Sequence, residues 1–577
     1  MGRREAGAWS AGVIALVLWL GVMLSWDISR PWTGHHDWNG VVWSQSAHNN
    51  LRAGLSTTWG IPTGRYSGAL PIPPAGYYVH HPPGLPLAVT ATFLLFGERE
   101  WAARLVPIAC SLVSAVLLWF LVATGAGRRA ATLSVAVFSL LPMELYFGRM
   151  VNHEAPALTW MLGALLSLEY WRRTGRRAWL VVLFACFVLG MWTAWAVYFL
   201  ALVLAVMILL TRGSGARRLA LALLAFGALS CVLYVLCVRA VRPDAWSDAW
   251  QAIAFRLQGQ GASGVPFSWG EWWGRQREYL GALIPVVAWG LAVVGAVYVA
   301  LRSRGSPGFR SLGWSALALA LTAAIPVLGF RNASYIHDYT GFYFVAPVAV
   351  LGGLTLDGLL RRAWTAEALP LLRGACVGGA VAALALLGLR GYEKTRALHR
   401  IQWWVLDGKV AEPPDLIPAL GEAIYRTFPD ETMVVTNLSA RGPHLGYYAR
   451  RELLYGHTTY AEWKPVLSQA GEHVGCVVWL GAPGAEELWA QLPEGRRKVL
   501  ELGGLRFGFW RPGLSQPGSG QPAPDQPGAG QAGATQAGPN LSGQTFRSVR
   551  RGGEGASALS LQLPVGREGR RWFSGGG

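Results

Sequence analysis

The sequence predicts a mostly α-helical, polytopic membrane protein with about eleven spanning helices, a small external α/β domain and a disordered C-terminal tail. Three observations predict it. Of the 577 residues, 52% are hydrophobic and 29 are Trp. Apolar runs of the length that crosses a hydrocarbon core, which takes ~20 helical residues, recur along residues 1–390. Arginines gather in alternate loops between those runs. A net charge of +18 could suggest nucleic acid, but cations confined to short loops between apolar segments are the positive-inside pattern. Membrane lipids, not nucleic acid, are therefore the expected surroundings.

The runs fall at 8–26, 103–124, 130–148, 155–171, 178–193, 195–211, 219–240, 279–301, 311–330, 340–360 and 374–390. The first is long for a signal-peptide core and lacks a small-residue cleavage site, so it reads as a retained membrane helix. The stretch 178–210 is too long for one span and short for two, and Trp192-Thr193-Ala194-Trp195 is the expected turn. Gly84–Phe96 is apolar but too short to cross and is placed at the interface. Arg3/Arg4, Arg128/Arg129, Arg172/Arg173, Arg217/Arg218, Arg302/Arg304 and Arg361/Arg362 share one side, which the positive-inside rule makes cytoplasmic. The N-terminus is then cytoplasmic, and the long first loop, 27–102, and the C-terminal region are external.

Beyond the membrane domain (1–390), residues 391–512 read as a small α/β domain. Asp415–Phe428 has helical periodicity, and Glu431–Thr436, Cys476–Leu480 and Arg506–Trp510 read as strands. No Gly-rich nucleotide loop follows a strand, so no nucleotide cofactor is assigned. Residues 513–577 are rich in Gly, Pro, Gln and Ser and read as disordered. The six cysteines form no CxxC pair, and five lie inside apolar runs, so they say nothing about redox chemistry.

Titratable groups divide by side. His35, His36, His48, His80, His81, His153 and His337 all fall outward. Glu169 and Asp357 have arginines three or four residues on, which suffices to explain them as helix pairs. Asp37, Glu154 and Asp338 have no such helical partners. The first loop therefore combines a carboxylate with two His pairs beside a membrane, the composition of a reaction site at the lipid–water boundary. Asp37 suits a general base acting on an acceptor hydroxyl; it suits equally the N-cap of a helix over Trp38–Leu51. His80 and His81 precede Pro82-Pro83, which holds them extended and pointing apart. One of them can bind a metal or phosphate while the other packs, or the pair can simply cap an interfacial helix. Arg149, Asn152, His153 and Glu154 form a second polar mouth, and Arg331 to Tyr339, containing His337, a third. Residues 241–278, with Trp246, Trp250, Trp269, Trp272 and Trp273, read as an aromatic belt in preference to a sugar-stacking surface.

As a set these residues resemble the GT-C glycosyltransferases, in the superfamily of the protein O-mannosyltransferases and lipid A aminoarabinose transferases. The resemblance rests on His36-Asp37-Trp38, on Tyr78-Val79-His80-His81-Pro82-Pro83-Gly84-Leu85-Pro86, on Leu95-Phe96-Gly97 with Trp101 and Arg104, on Gly148-Arg149 with Glu154, and on His337-Asp338-Tyr339 running into Pro347. It covers residues 8–390. It implies inverting transfer of a sugar from a polyprenyl-phosphate carrier to a lipid, glycan or protein acceptor at the outer face. By the same resemblance, Asp37 matches the first-loop catalytic acid and Glu154 the second acidic position. His81, with Arg104, Arg149, His337 and Tyr339, belongs to the carrier-phosphate side. His80 matches a position that can ligate a divalent metal in some relatives. The first loop reads His-Asp-Trp where many relatives have Asp-Glu, and His81 stands where the aminoarabinose transferases have lysine.

The competing function is a flippase or other transporter of lipid-linked sugars without catalysis. Transport favours ionisable groups at the midplane, broken helices or inverted repeats, whereas here the polar groups gather on one side. A receptor acting through the α/β domain leaves the first loop unexplained.

Overall fold

The structure, a computed structural model, describes residues 3–512 apart from 211–213, 262–263, 365–368, 402–404, 407–408, 411–414, 439–442 and 471–472. The tail expected to be disordered, 513–577, lies outside the described residues. Each of the apolar runs forms helix. After α1 (Arg3–Leu24) the first loop carries α2 (Asp37–Ala53), α3 (Leu55–Thr58) and α4 (Gly84–Phe96). Then come α5 (Glu100–Ala126), α6 (Arg128–Leu140), α7 (Pro142–Phe147), α8 (Glu154–Thr174), α9 (Ala178–Met191), α10 (Trp195–Leu209) and α11 (Ser214–Val241). The second long loop holds α12 (Ala245–Leu257) and α13 (Trp269–Leu283), followed by α14 (Val286–Arg302), α15 (Pro307–Gly329), α16 (Arg331–Ile336), α17 (Val345–Ala363) and α18 (Pro370–His399).

Among the described residues, six helical stretches are each long and apolar enough to cross a membrane, or seven if α13–α14, bent by 92°, is one broken span. The other runs are shorter or interrupted. Pro142, with no N–H to donate, breaks 130–148 into α6 and α7. The 178–210 stretch is α9 and α10, of 14 and 15 residues, broken at Trp192 to Ala194. Neither alone has the length of a perpendicular span.

Helix α17 lies between α6 and α14 at very short range. A Cβ on Gly353 would sit 2.2 Å from Ser134 Oγ. Such approach needs small residues, as membrane helix contacts commonly do. One turn further along α17, buried Asp357 takes Arg129 and Arg361, each at 2.6 Å. Arg361 is the i+4 partner legible in sequence; Arg129 comes from α6.

The first loop has its own core. Trp32, Val41, Val42, Trp43 and Ala47 pack with Leu85, Val89 and Phe93 of α4 and with Ala102 and Ala103 of α5. Gly84 ties α4 to the α9–α10 turn: its N–H donates to Trp192 O at 2.7 Å, and a Cβ there would lie 2.6 Å from the same oxygen. The double proline thus delivers α4 to a fixed point beside the helical core.

The C-terminal part begins with two antiparallel two-residue strands, β1 (Val405–Leu406) and β2 (Lys409–Val410). It continues α19 (Leu416–Thr427), β3 (Met433–Thr436), α20 (His444–Ala449), β4 (Glu452–Leu454), α21 (Tyr460–Ala470), β5 (Val474–Trp479), α22 (Ala485–Gln491), β6 (Gly495–Leu502) and β7 (Leu505–Pro512). The sheet order is β4-β3-β5-β7-β6, with β3 parallel to both neighbours and β7 antiparallel to both of its own. The three expected strands are β3, β5 and β7. The edge strands β4 and β6 were not foreseen: β4 is three residues long, and β6 is a mostly exposed edge with little apolar alternation. The domain rests on the first loop. Tyr448 Oη accepts from Trp32 N–H at 2.9 Å and donates to Glu100 Oε1 at 2.8 Å, and Arg450 Nη2 lies 3.2 Å from Glu98 Oε2.

Candidate active site

Asp37 opens α2, but it is not the cap. His36 is the N-cap residue, in the left-handed region at φ 60°, and no side chain caps the helix. Asp37 instead reaches backwards: its Oδ2 accepts from Gly34 N–H at 2.6 Å and lies 3.5 Å from Arg104 Nη2. Its Oδ1 has no partner among the described residues. The carboxylate lines a recess with Arg30, His35, Arg104, Tyr146, Arg149 and His399. Arg104 and Arg149 are deeply buried and largely engaged. Arg104 Nη1 donates to the carbonyls of Ile28 (2.7 Å) and Arg30 (2.5 Å) and stacks over Trp32 at 4.2 Å. Arg149 donates to the carbonyls of Trp26 and Asp27, the latter at 2.9 Å. Expected as phosphate ligands, the two arginines fasten the start of the first loop, and Arg104 places a positive charge beside Asp37.

On the other side of the His36 turn, His35 and His36 converge on Asp338. His35 Nε2 is 2.9 Å from Oδ2 and His36 Nε2 is 2.8 Å from Oδ1. His337 stacks on Tyr339 at 5.0 Å, and Tyr339 meets His36 edge-on at 4.9 Å. Tyr339 also bonds Asn39 and is close enough to Glu154 and Tyr78 for their charges to act on it.

A third group surrounds the double proline. His81 and His153 stack face to face, 4.6 Å apart with planes at 8°, and Trp43 stands edge-on to both. His153 Nδ1–H donates to Thr193 O at 2.6 Å. His80 turns away to Asp248 Oδ2 at 3.3 Å, so the two neighbours do point to different partners. His81 Nδ1, His153 Nε2, His337 Nδ1 and Glu154 Oε2 are buried polar atoms without a protein partner, which is the signature of a surface built to meet something else. Arg256 of α12 lies 3.4 Å from Tyr78 Oη, and Arg65 lies over the Tyr78 ring at 5.2 Å. Among the described residues no hydrogen bond, ion pair or ring contact joins Asp37 directly to His81 or Glu154. The two clusters are linked by α2 itself, through Asn39, which touches both Met150 in the Asp37 recess and Tyr339.

These imidazoles are held neutral. Burial, then Arg256, lowers His80 to about 4 against the opposing pull of Asp248. Burial lowers His153 to about 4, and burial, His153 and Arg256 hold His81 well below its ordinary value. His337 falls to about 3, by burial and then His36. Near neutral pH the fixed positive charges beside Tyr78 are therefore Arg256 and Arg65, with His81 a neutral hydrogen-bonding ring. A stability consequence follows from linkage. An unfolded imidazole titrates near 6.5 and His153 near 4, so the unfolded chain binds more protons between those values. Stability is full above about pH 6.5 and declines as pH falls towards 4; thermal melts across that window should show a shallower decline in His153→Gln than in the wild type.

The family model of dolichyl-phosphate-mannose-protein mannosyltransferases matches residues 80–239, which begins at His80 and includes His81, Arg104, Arg149 and Glu154. Curated protein sequences yield no match. Among solved structures, ArnT from Cupriavidus metallidurans superposes with a TM-score of 0.58 at 18% identity, over 88% of this chain and 98% of its own. The same protein bound to undecaprenyl phosphate gives 0.58 at 17%. The oligosaccharyltransferase AglB from Archaeoglobus fulgidus, in complex with an inhibitory peptide and a dolichol-phosphate, gives 0.52 at 13%, over 83% of this chain and 70% of its own. The arabinofuranosyltransferase AftD from Mycobacteria gives 0.52 at 12%, over 89% of this chain and 40% of its own.

The chain has the GT-C fold.

Of the site residues expected from the sequence, Asp37 lies with Arg104 and Arg149 in the recess, His81, Glu154, His337 and Tyr339 lie on the other side of the His36 turn, and His80 pairs with Asp248; three neighbours of these groups were not expected. Arg256 was hidden in a loop read as an aromatic belt. Of its tryptophans, Trp246, Trp250, Trp269 and Trp273 are exposed, whereas Trp272 is buried and donates to Ser334 Oγ at 3.0 Å. Arg65 sits in an irregular stretch with no periodicity to orient it. Asp338 was seen as an outward acid, but its pairing with His35 and His36 spans some three hundred residues. The signal for Arg256 was its place in the last turn of an amphipathic helix, directly after Phe255.

Proposed function

We propose that the protein transfers a sugar from a polyprenyl-phosphate carrier to an acceptor hydroxyl on a lipid, glycan or protein, at the outer face of the membrane, with inversion and with Asp37 as base. The N-terminus is then cytoplasmic and the α/β domain external, beside the first loop on which it rests. The observation that carries this reading is the cluster of neutral imidazoles and unpartnered polar atoms around His81 and Glu154, overlooked by Arg256 and Arg65, within a GT-C fold. The solved ArnT bound to undecaprenyl phosphate supports a lipid phosphate as the anion to be met there.

In the reaction the acceptor oxygen attacks the anomeric carbon, the bond from that carbon to the phosphate oxygen breaks, and the phosphate leaves with the electron pair. Asp37 takes the hydroxyl proton. A single displacement inverts the anomeric centre. The leaving phosphate gains a negative charge, and Arg256 and Arg65 oppose it in a partly dehydrated setting, where fixed charges act most strongly. Arg104, 3.5 Å from Asp37 Oδ2, orients the carboxylate.

The leaving-group assignment has a direct test. One charged hydrogen bond is worth roughly 1.5–3 kcal/mol, so Arg256→Gln should weaken binding of undecaprenyl phosphate by about tenfold or more. Displacement of a fluorescent polyprenyl phosphate from protein in nanodiscs measures it. Unchanged affinity would remove Arg256 from the phosphate site.

A further inference from the structure

We propose that His35, His36 and Asp338 form a binding site for one divalent transition-metal ion of the zinc type, placed next to Asp37. The ligand atoms of these three side chains lie within 4.8 Å of one another, and they come from two distant parts of the chain. Consecutive side chains normally diverge. Here the left-handed turn at His36, φ 60° and ψ 16°, swings both imidazoles to the same carboxylate, with ring centres 4.1 Å apart. A non-glycine residue in that region carries strain that the surrounding structure must hold. What this strain achieves is the convergence of two nitrogen donors and one oxygen donor.

The chemistry of the donor set selects the ion. Two imidazoles and a carboxylate suit zinc and other late divalent metals, whereas magnesium and calcium prefer all-oxygen surroundings. Bond lengths of roughly 2.0–2.2 Å are shorter than the present 2.8–2.9 Å nitrogen–oxygen separations. The rings and carboxylate would rotate slightly to admit an ion between them, each neutral imidazole carrying its proton on Nδ1. Second-sphere support is present, since Tyr146 Oη donates to His35 O at 2.9 Å and Phe147 packs against both rings. His80, the position at which a metal was anticipated, is not part of the set; it pairs with Asp248.

Three protein ligands leave at least one coordination position for a non-protein ligand. The ion would also lock the His36 turn, and with it the start of α2 and the placement of Asp37. This role is independent of whether the bound sugar donor is correctly identified, because it is read by metal content and not by turnover.

The test uses the full chain in detergent or nanodiscs, with any affinity tag removed. Metal-stripped protein is titrated with Zn2+ and, separately, with Co2+. Expected are one equivalent of Zn2+ per chain and visible Co2+ ligand-field bands without the intense thiolate charge transfer that cysteine ligation would give. His36→Gln and Asp338→Asn should each weaken uptake about tenfold or more, while His48→Gln, whose ring pairs with Glu98 at 2.8 Å, should bind like the wild type. If either ligand variant fails to fold, the wild-type Co2+ spectrum decides alone. Absence of both a Zn2+ equivalent and a Co2+ spectrum in the wild type would overturn the proposal, as would uptake that both variants leave unchanged; the trio would then be a metal-free hydrogen-bonded clasp.

Discussion

Asp37→Asn is expected to lower sugar transfer by about 10²–10⁴-fold, the usual contribution of a general base, while leaving polyprenyl-phosphate binding within a factor of about two. The asparagine preserves the size of the side chain and can still accept from Gly34 N–H through its carbonyl oxygen, so α2 should start where it does now. What it cannot do is take a proton. Only kcat should collapse, because Asp37 lies in the recess with Arg104 and not among the rings around His81. Single-turnover rates with donor prebound separate this from a binding defect. If Asp37→Asn loses donor affinity in step with turnover, the residue belongs to the carrier site and the base must be sought elsewhere, with Glu154 the first candidate.

Arg104→Gln is expected to be the most damaging single change to the architecture of the site. The guanidinium is almost wholly buried. It donates to two first-loop carbonyls, stacks on Trp32 and faces Asp37. Glutamine can replace at most part of one of these contacts. Removing one member of a buried charge pair costs ~3–5 kcal/mol, and Asp37 keeps some solvent, so a loss of about 3 kcal/mol is the expected size. Thermal unfolding should drop by several degrees, and the remaining folded enzyme should be slow because Asp37 is no longer held. Arg104→Lys restores the charge but not the planar fork and should recover little. A melting temperature equal to the wild type would mean that the carbonyls of Ile28 and Arg30 are satisfied some other way.

What the sequence made legible follows from how local each signal is. Membrane helices announce themselves because hydrocarbon length and loop charge are read over windows of about twenty residues. The break at Trp192 to Ala194 and the helix beginning at Gly84 were legible for the same reason: Pro82-Pro83 and a run of unusual length are local facts. Asp37 stood out as an acid without a helical partner, and Glu169 was set aside because Arg173 lay four residues on; the 2.5 Å pair bears that out. The partners themselves were not legible. Arg104 and Arg149 look like free cations in the sequence, and only the fold shows their donors turned to the carbonyls of residues 26–30. Asp338 meets His35 and His36 only because the segment between α16 and α17 returns to the first loop. Arg256 needed α12 to be placed over Tyr78. Long-range contacts of this kind carry no periodicity, so a single sequence holds no trace of them.

The measurement to make is sugar transfer by the purified chain in nanodiscs, with a panel of radiolabelled sugars on polyprenyl phosphate as donors and a membrane extract as the source of acceptors. Production of free polyprenyl phosphate coupled to label appearing on an acceptor, abolished in Asp37→Asn, is the predicted result. Label that moves between leaflets of sealed vesicles with the sugar–phosphate bond intact, and with no transfer to any acceptor, would contradict it and make the protein a carrier of lipid-linked sugars.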